Sequence, residues 1–246
     1  MSGNESSVGP GDFTLGDFKL GDYVAIAIAE AFRGDGPIMA SPMGPLPRLG
    51  AQLAQATFEP ELLLTDGVAS LVDLSGNAIG WMPFSRVFDT LWSGRRHVMM
   101  GASQIDRFGN QNISAVGSHA QPKVQLLGVR GAPGNTAYHP TSYFVSGHNR
   151  RIFVPQVDMV CGLGTNHGAF EIRRVITNLG VFDFQGQGGT MRLRSLHPGV
   201  TVEQVISATG FELQVDEVTP SRAPTPDEAQ WLERLDPGRR IRQEVE

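Results

Sequence analysis

Leu62-Leu63-Leu64-Thr65-Asp66-Gly67 is the stretch on which the reading of the fold turns. Three consecutive leucines suit a short buried strand, and the Gly turn behind them stops it. The residues upstream supply what such a strand needs. Asp22 to Phe32 reads as a helix, with Asp22 as N-cap and Gly34 just past its end. Pro37-Ile38-Met39-Ala40 is a short apolar strand behind a Gly-Asp-Gly turn. Leu46 to Thr57 recovers helical spacing through Leu49, Leu53 and Ala56. Helix, strand, helix, strand within the first third of the chain predicts an α/β fold: an open, mainly parallel sheet flanked by helices.

Further along, Val87 to Trp92 suggests a helix entered from Ser85, and His97 to Met100 a strand. Gln125 to Val129 reads as another strand. From Tyr143 the pattern becomes β-rich: Tyr143–Val145, Arg151–Val154, Glu171–Thr177 and Met191–Arg194 are strand-like with turns between them. Val202 to Ser207 is a short amphipathic helix, with Thr201 as its N-cap. After Val218 the composition shifts to Thr219-Pro220-Ser221-Arg222-Ala223-Pro224-Thr225-Pro226, a linker, and then to an acidic helix over Asp227–Leu235. The expected division is a flexible N-terminus (1–21), an α/β domain (22–218) and a Pro-rich linker with a C-terminal helix and tail (219–246). That tail is expected to be disordered or packed on a partner.

A chain of 246 residues is long enough for one large domain with a sizeable core. Its formal charge of −5 argues against a nucleic-acid partner. The arginine pairs Arg95-Arg96, Arg150-Arg151, Arg173-Arg174 and Arg239-Arg240 read as solvated charge at loops and helix ends. The single cysteine, Cys161, excludes an internal disulfide and a multi-cysteine metal site, and is expected to pack as a small apolar residue. Met1 to Asp22 lacks the basic and apolar regions of a secretory signal. Tyr23 to Ala29 is too short to span a bilayer. The expected location is the cytoplasm. His139, His148 and His167 have no metal-ligand spacing, so no metal is assigned.

Three motifs remain. Gly101-Ala102-Ser103-Gln104-Ile105-Asp106-Arg107-Phe108-Gly109-Asn110-Gln111-Asn112 is a strand entering a polar turn, with Gly109 at positive φ and the Asp and Asn side chains bonding nearby backbone. It is expected to build a wall near the site. Gly131-Ala132-Pro133-Gly134-Asn135 follows an apolar run, and small residues there permit close backbone approach by a ligand. Leu196 to Leu213 carries capping and turn signals.

These motifs, at these spacings, resemble the β subunits of class I coenzyme A transferases. In that family the strand corresponding to Leu62–Leu64 ends in Glu-x-Gly, and the glutamate is the nucleophile that takes the acyl group. Here Thr65 stands in its place. A threonine ester would trap the acyl group, so the covalent relay fails. Asp66 is adjacent, but successive strand residues point to opposite faces, so it is expected to aim away from the site that Thr65 faces.

The resemblance implies no certain catalytic residue on this chain. It implies an α-type partner that brings a carboxylate base, in an α2β2 heterotetramer, with no membrane or nucleic acid involved. No cofactor is implied beyond coenzyme A as part of the substrate. It implies a substrate and oxyanion pocket made of Thr65, Asp66, Gly67, Gly131, Ala132, Pro133, Gly134 and Asn135. The reaction implied is that of the hydrolytic branch of the family: water opens the ring of a cyclic β-keto, steroid-derived CoA thioester by retro-Claisen C–C cleavage. Two alternatives stay open: a working CoA-transferase using Asp66 or a partner residue, and a non-catalytic scaffold completing the partner's pocket.

Overall fold

The computed structural model describes residues 18–83, 85–86, 89 and 95–246. Helix α1 (Leu20–Ala31) leads to strand β1 (Met39–Pro42), helix α2 (Pro45–Thr57) and strand β2 (Leu63–Leu64). A hairpin, β3 (Ser70–Val72) and β4 (Ala78–Trp81), precedes β5 (Arg96–Met100). Two small pairs follow: β6 (Gln104–Ile105) with β7 (Gln111–Asn112), and β8 (Ala115–Val116) with β9 (Val124–Gln125). The remainder is α3 (Ala132–Tyr138), β10 (Pro140–Val145), β11 (Glu171–Thr177), β12 (Gly180–Asp183), β13 (Arg192–Leu196), α4 (Val202–Ala208), β14 (Gln214–Pro220) and α5 (Pro226–Leu235).

One eight-stranded sheet organises these elements, in the order β14-β13-β12-β11-β10-β5-β1-β2. From β2 to β11 every pairing is parallel. Strands β12 and β13 extend the sheet antiparallel, and β14 returns parallel to β13. The mainly parallel sheet and the added β-structure of the C-terminal half are as expected from the sequence.

Both faces of the sheet are covered, which explains apolar runs without alternation. Met99, Phe144, Ile176 and Val181 face one core, with Val24 and Ile28 of α1, Leu46, Leu49 and Leu53 of α2, and Leu232 of α5. Their neighbours Val98, Met100, Tyr143, Val145, Val175 and Phe182 face the other, with Ala132, Phe153 and Val205. Each fully buried leucine of this kind contributes about 1.5–3 kcal/mol.

Several expectations are corrected. The helix expected over Val87–Trp92 falls, but for Asp89, outside the described residues. Gln125–Val129 is not a strand beyond Gln125: pairing with β8 ends there, and Leu127 is 75% exposed, so the apolar run has no sheet to join. Arg151–Val154 forms turns with a single bridge from Phe153 to Ile105, because Phe153 reaches the core from a loop. Asp22 is not the N-cap of α1. Lys19 is, and Asp22 sits three residues in, accepting the Lys19 N–H at 2.9 Å.

The C-terminal tail is neither disordered nor free. Arg242 is 1% exposed and donates to Asp22 at 2.7 Å and to Asp236 at 3.1 Å. Arg239 adds two bonds of 2.8 Å to the same Asp22 carboxylate. Gly21 lies directly against the Arg242 backbone, where a Cβ would not fit. A buried carboxylate on α1 thus captures both tail arginines, and charge taken from water in this way must be paired.

Candidate active site

Strand β2 stops where Thr65-Asp66-Gly67 turns the chain. The Thr65 hydroxyl donates to the Ala40 carbonyl of β1 at 3.0 Å and accepts the Gly67 N–H at 3.1 Å. The next side chain caps the following loop: one Asp66 carboxylate oxygen accepts N–H bonds from Val68 at 2.8 Å, Ala69 at 2.9 Å and Ser70 at 3.1 Å. Burial pushes this carboxyl up, but the N–H groups of Val68, Ser70 and Ala69 outweigh it and hold the pKa below the usual carboxylate value. Gly67 has φ +84°, and a Cβ there would lie 2.5 Å from the Pro42 carbonyl, so only glycine fits the turn.

Beyond this turn opens a cleft of about 640 Å³, within the roughly 300–1,000 Å³ range of small-molecule sites. It lies beside the ends of β1, β2 and β5. Asp66 and Gly67 line it together with Met43, Met100, Leu127 and Arg130. Thr65 does not. It faces a small recess shared with Ser41 and Arg96. The expected alternation of the two side chains holds, but Asp66, expected to aim away, is the one on the cleft wall.

The turn motif supplies another wall. Asp106 accepts the Phe108 N–H at 2.9 Å and the Asn110 N–H at 3.1 Å. Gly109 has φ +79° and the Phe184 ring packs where a Cβ would project. The chain therefore returns so that Gly101, Ala102, Ser103 and Gln111 all line the cleft. The Gln111 amide donates to the Gly101 carbonyl at 2.6 Å, which fixes its orientation.

Gly131 to Asn135 is the start of helix α3 rather than an open loop. Gly131, Ala132 and Asn135 line the cleft; Pro133 and Gly134 do not. The Ala132 N–H is bonded to the Val129 carbonyl at 3.1 Å, and the Asn135 N–H to the Gly131 carbonyl at 2.9 Å. Proline has no N–H. Of the expected oxyanion donors, the Gly131 N–H is on the cleft wall and makes no hydrogen bond to any described residue. Arg130, just before it, takes φ +50°, a conformation rarely adopted by side-chain-bearing residues, at the cleft rim.

Arg96 is a cleft residue that the sequence reading placed in solvent. It is 5% exposed. Its Nε donates to Ser41 Oγ at 3.1 Å and its Nη1 to Asn135 Oδ1 at 3.3 Å. Burial pushes its pKa down to about 10, which still leaves it charged at neutral pH. A signal was available: the apolar strand that follows puts Arg96 on the face of Val98 and Met100, pointing into the protein.

Elsewhere Asp35, His97 and Ser142 form a string like that of serine hydrolases, with His97 Nδ1 2.7 Å from Asp35 and Nε2 2.9 Å from Ser142 Oγ. Both His97 and Ser142 are fully buried, and neither lines a described cavity. Arg173 closes the string with a 2.6 Å bond to Asp35, so these residues form an interior network. Among the described residues lining the cleft, Asp66 is the one carboxylate, and no histidine or cysteine is present.

Comparison with known proteins places this geometry. The family model described as Coenzyme A transferase matches residues 89–208. The cholesterol ring-cleaving hydrolase IpdB subunit of Rhodococcus jostii (strain RHA1) is 49% identical over 240 residues, covering 91% of this chain and 95% of that protein. The crystal structure of Rhodococcus jostii RHA1 IpdAB superposes with a TM-score of 0.88 at 47% identity, covering 94% of this chain and 99% of the matched chain. The decarboxylase AibA/AibB, at 24% identity and TM-score 0.81, covers 93% of this chain and 99% of its own and shares the fold. The chain therefore belongs to the class I coenzyme A transferase family, as a β subunit of the IpdB-like kind.

Proposed function

We propose that this chain is the β subunit of a heteromeric hydrolase that opens the ring of a cyclic β-keto, steroid-derived acyl-CoA in cholesterol catabolism. The observation that carries this reading is the high identity, along nearly the whole chain, to a subunit named for that ring cleavage. The cleft is compatible with it. Thr65 stands where the transferases carry their nucleophile, and its hydroxyl is committed to the neighbouring strand. The one carboxylate on the described cleft wall, Asp66, is held by three backbone N–H groups, and the base is assigned, as the family resemblance implies, to a carboxylate of an α-type partner subunit in an α2β2 assembly. Coenzyme A enters as part of the substrate.

In the proposed reaction, a water activated by the partner's base adds to the ring ketone. The bond between that carbon and the carbon α to the thioester breaks. Its electron pair goes to the thioester enolate, which is then protonated at the α carbon. One water is consumed, the ketone carbon becomes a carboxylate, and the thioester survives. The Gly131 N–H and Asn135 border the place where the enolate oxygen develops, and a preorganised donor there stabilises it.

The test is to assemble the chain with an α-type subunit and supply a cyclic β-keto acyl-CoA. Ring opening adds the mass of one water and frees no thiol. Release of free CoA instead would point to thioester hydrolysis or transfer. Asp66 on the cleft wall favours a second reading, a CoA-transferase that uses this carboxylate. Mass spectrometry after incubation with an acyl-CoA and borohydride decides it, because transfer leaves a reduced or CoA-modified carboxylate on the chain. A third reading, a scaffold that only completes the partner's pocket, predicts that Ala substitution of Asn135, which borders the enolate in the main reading, leaves turnover untouched.

A further inference from the structure

The turn Arg242–Val245 is pinned to the body of the fold. Asp22 takes both Arg239 and Arg242, Asp236 takes Arg242, and Val245 is buried in the core that α1 and α2 share. Other carboxylates of this tail find arginines: Glu233 and Asp236 hold Arg242, and Glu246 holds Arg239. Glu244 differs. Its side chain makes no hydrogen bond or ion pair with any described residue.

Glu244 lines a groove of about 270 Å³. The groove lies outside the carboxyl ends of β1, β5 and β10, where open α/β sheets receive ligands. Met43, Gly44, Gly101 and Ala102 line both this groove and the main cleft, so the two are continuous. The side chains lining the groove are apolar but for Ser146 and Glu244. At Gly101 the passage is open: nothing but the Phe144 carbonyl, at 3.9 Å, lies within 4 Å of where a Cβ would stand.

A carboxylate accepts hydrogen bonds and gives none. In an apolar groove it loses water without a replacement, and this burial pushes the Glu244 pKa up. A hydrogen-bond donor relieves it. The parts of an acyl-CoA differ in what they offer. The phosphates, and any acid on the acyl group, are negative and are repelled. An alkyl chain or carbocycle has no donor. The pantetheine arm between them is neutral, narrow and carries amide N–H groups.

We propose that this groove takes the pantetheine arm of the acyl-CoA, with Glu244 accepting an amide N–H and the Ser146 hydroxyl bonding a polar group further along the arm. The acyl group then enters the main cleft past Met43 and Gly101. The proposal rests on the reading of the chain as an acyl-CoA hydrolase subunit. It also gives the pinned tail a use: the ion pairs on Asp22 fix the turn that carries Glu244, and an acceptor held in place loses less freedom on binding.

The test uses the assembled complex with its α-type partner, in direct binding by calorimetry, with butyryl-CoA, butyryl-pantetheine and octanoyl-CoA as probes. Glu244→Ala is expected to weaken all three by the same factor, about 3- to 30-fold, the span of one partly exposed charge-assisted contact. Glu244→Gln keeps a neutral acceptor and should recover part of the loss. Thermal melting and the elution volume of each complex confirm that the variants are folded and assembled. Unchanged or tighter binding by Glu244→Ala would overturn the proposal. So would a loss on butyryl-CoA that butyryl-pantetheine does not share, which would put Glu244 at the nucleotide end. A loss that differs between the butyryl and octanoyl thioesters would assign the groove to the acyl chain, and one confined to subunit assembly would assign Glu244 to a partner residue; either also overturns it. Because binding is read without turnover, a complex that shows the expected loss yet opens no ring would refute the hydrolase reading and leave the groove assigned.

Discussion

The hydroxyl of Thr65 donates to the carbonyl of Ala40 at 3.0 Å and accepts the N–H of Gly67 at 3.1 Å. This hydroxyl is therefore used to join β2 to β1 and to close the turn. Thr65→Val removes both bonds at constant shape. It should lower unfolding stability by about 1–3 kcal/mol, for two buried bonds at about 0.5–1.5 each. Turnover of the assembled complex should stay within a few-fold. Denaturant melts and steady-state rates check the two halves separately. A loss of turnover with unchanged stability would place Thr65 among the reacting groups.

Gly67 answers a different constraint. Gly67→Ala must accept positive φ and a Cβ 2.5 Å from the Pro42 carbonyl. The turn has to shift, at an expected cost of about 1–3 kcal/mol. Asp66 shifts with it, so stability and substrate affinity should fall together. A shift in melting temperature without an affinity change would separate the turn from the cleft.

The Asp22–Arg242 pair joins the first helix to the last residues of the chain. Arg242→Met leaves the Asp22 carboxylate with Arg239 as its one described cation and Asp236 with backbone N–H donors, and breaking a buried pair costs about 3–5 kcal/mol. Urea unfolding should detect it as a lowered midpoint. Truncation after Leu235 should be at least as damaging, since it removes both arginines.

Two histidines set an acid limit on stability. Burial pushes His148 down to about 3 and His197 down to about 4. Both stay neutral in the folded protein at a pH where the unfolded chain, titrating near 6.5, has taken up protons. Unfolding therefore becomes easier as pH falls from about 6.5 toward 4, by up to about 1.4 kcal/mol per pH unit for each imidazole. His148→Gln should remove one share of that slope. Urea melts between pH 7 and pH 4.5 measure it, and a parallel slope in the variant would contradict the assignment.

Ser142, despite its contact with His97, is expected to be chemically inert. Ser142→Ala should leave turnover intact while lowering stability by about 1–3 kcal/mol for the His97 ring nitrogen left without a partner. Organophosphate reagents should not label the chain. Labelling at Ser142 would show that the interior opens.

The sequence by itself determined the sheet and much of what covers it. The apolar runs at Ile38–Ala40 and His97–Met100 read as strands with both faces covered, whereas Leu62–Leu64, expected to be buried, is an edge strand with Leu63 52% exposed; the Thr201 cap and the Gly109 turn follow from local chemistry. These features are legible because they depend on neighbours along the chain. Three others depended on residues far apart, and only the tertiary structure decided them. Asp22 looked like a cap because its partners, Arg239 and Arg242, lie more than 200 residues on. Arg96 looked like surface charge because the groups that orient it, Ser41 and Asn135, come from other elements of the fold. Asp66 rather than Thr65 reached the cleft because the wall is built by the β5–β6 connection, Gln111 of β7 and the start of α3, not by β2 itself. Periodicity states which side of a strand a residue occupies; which side holds the cavity is set by the segments that pack there.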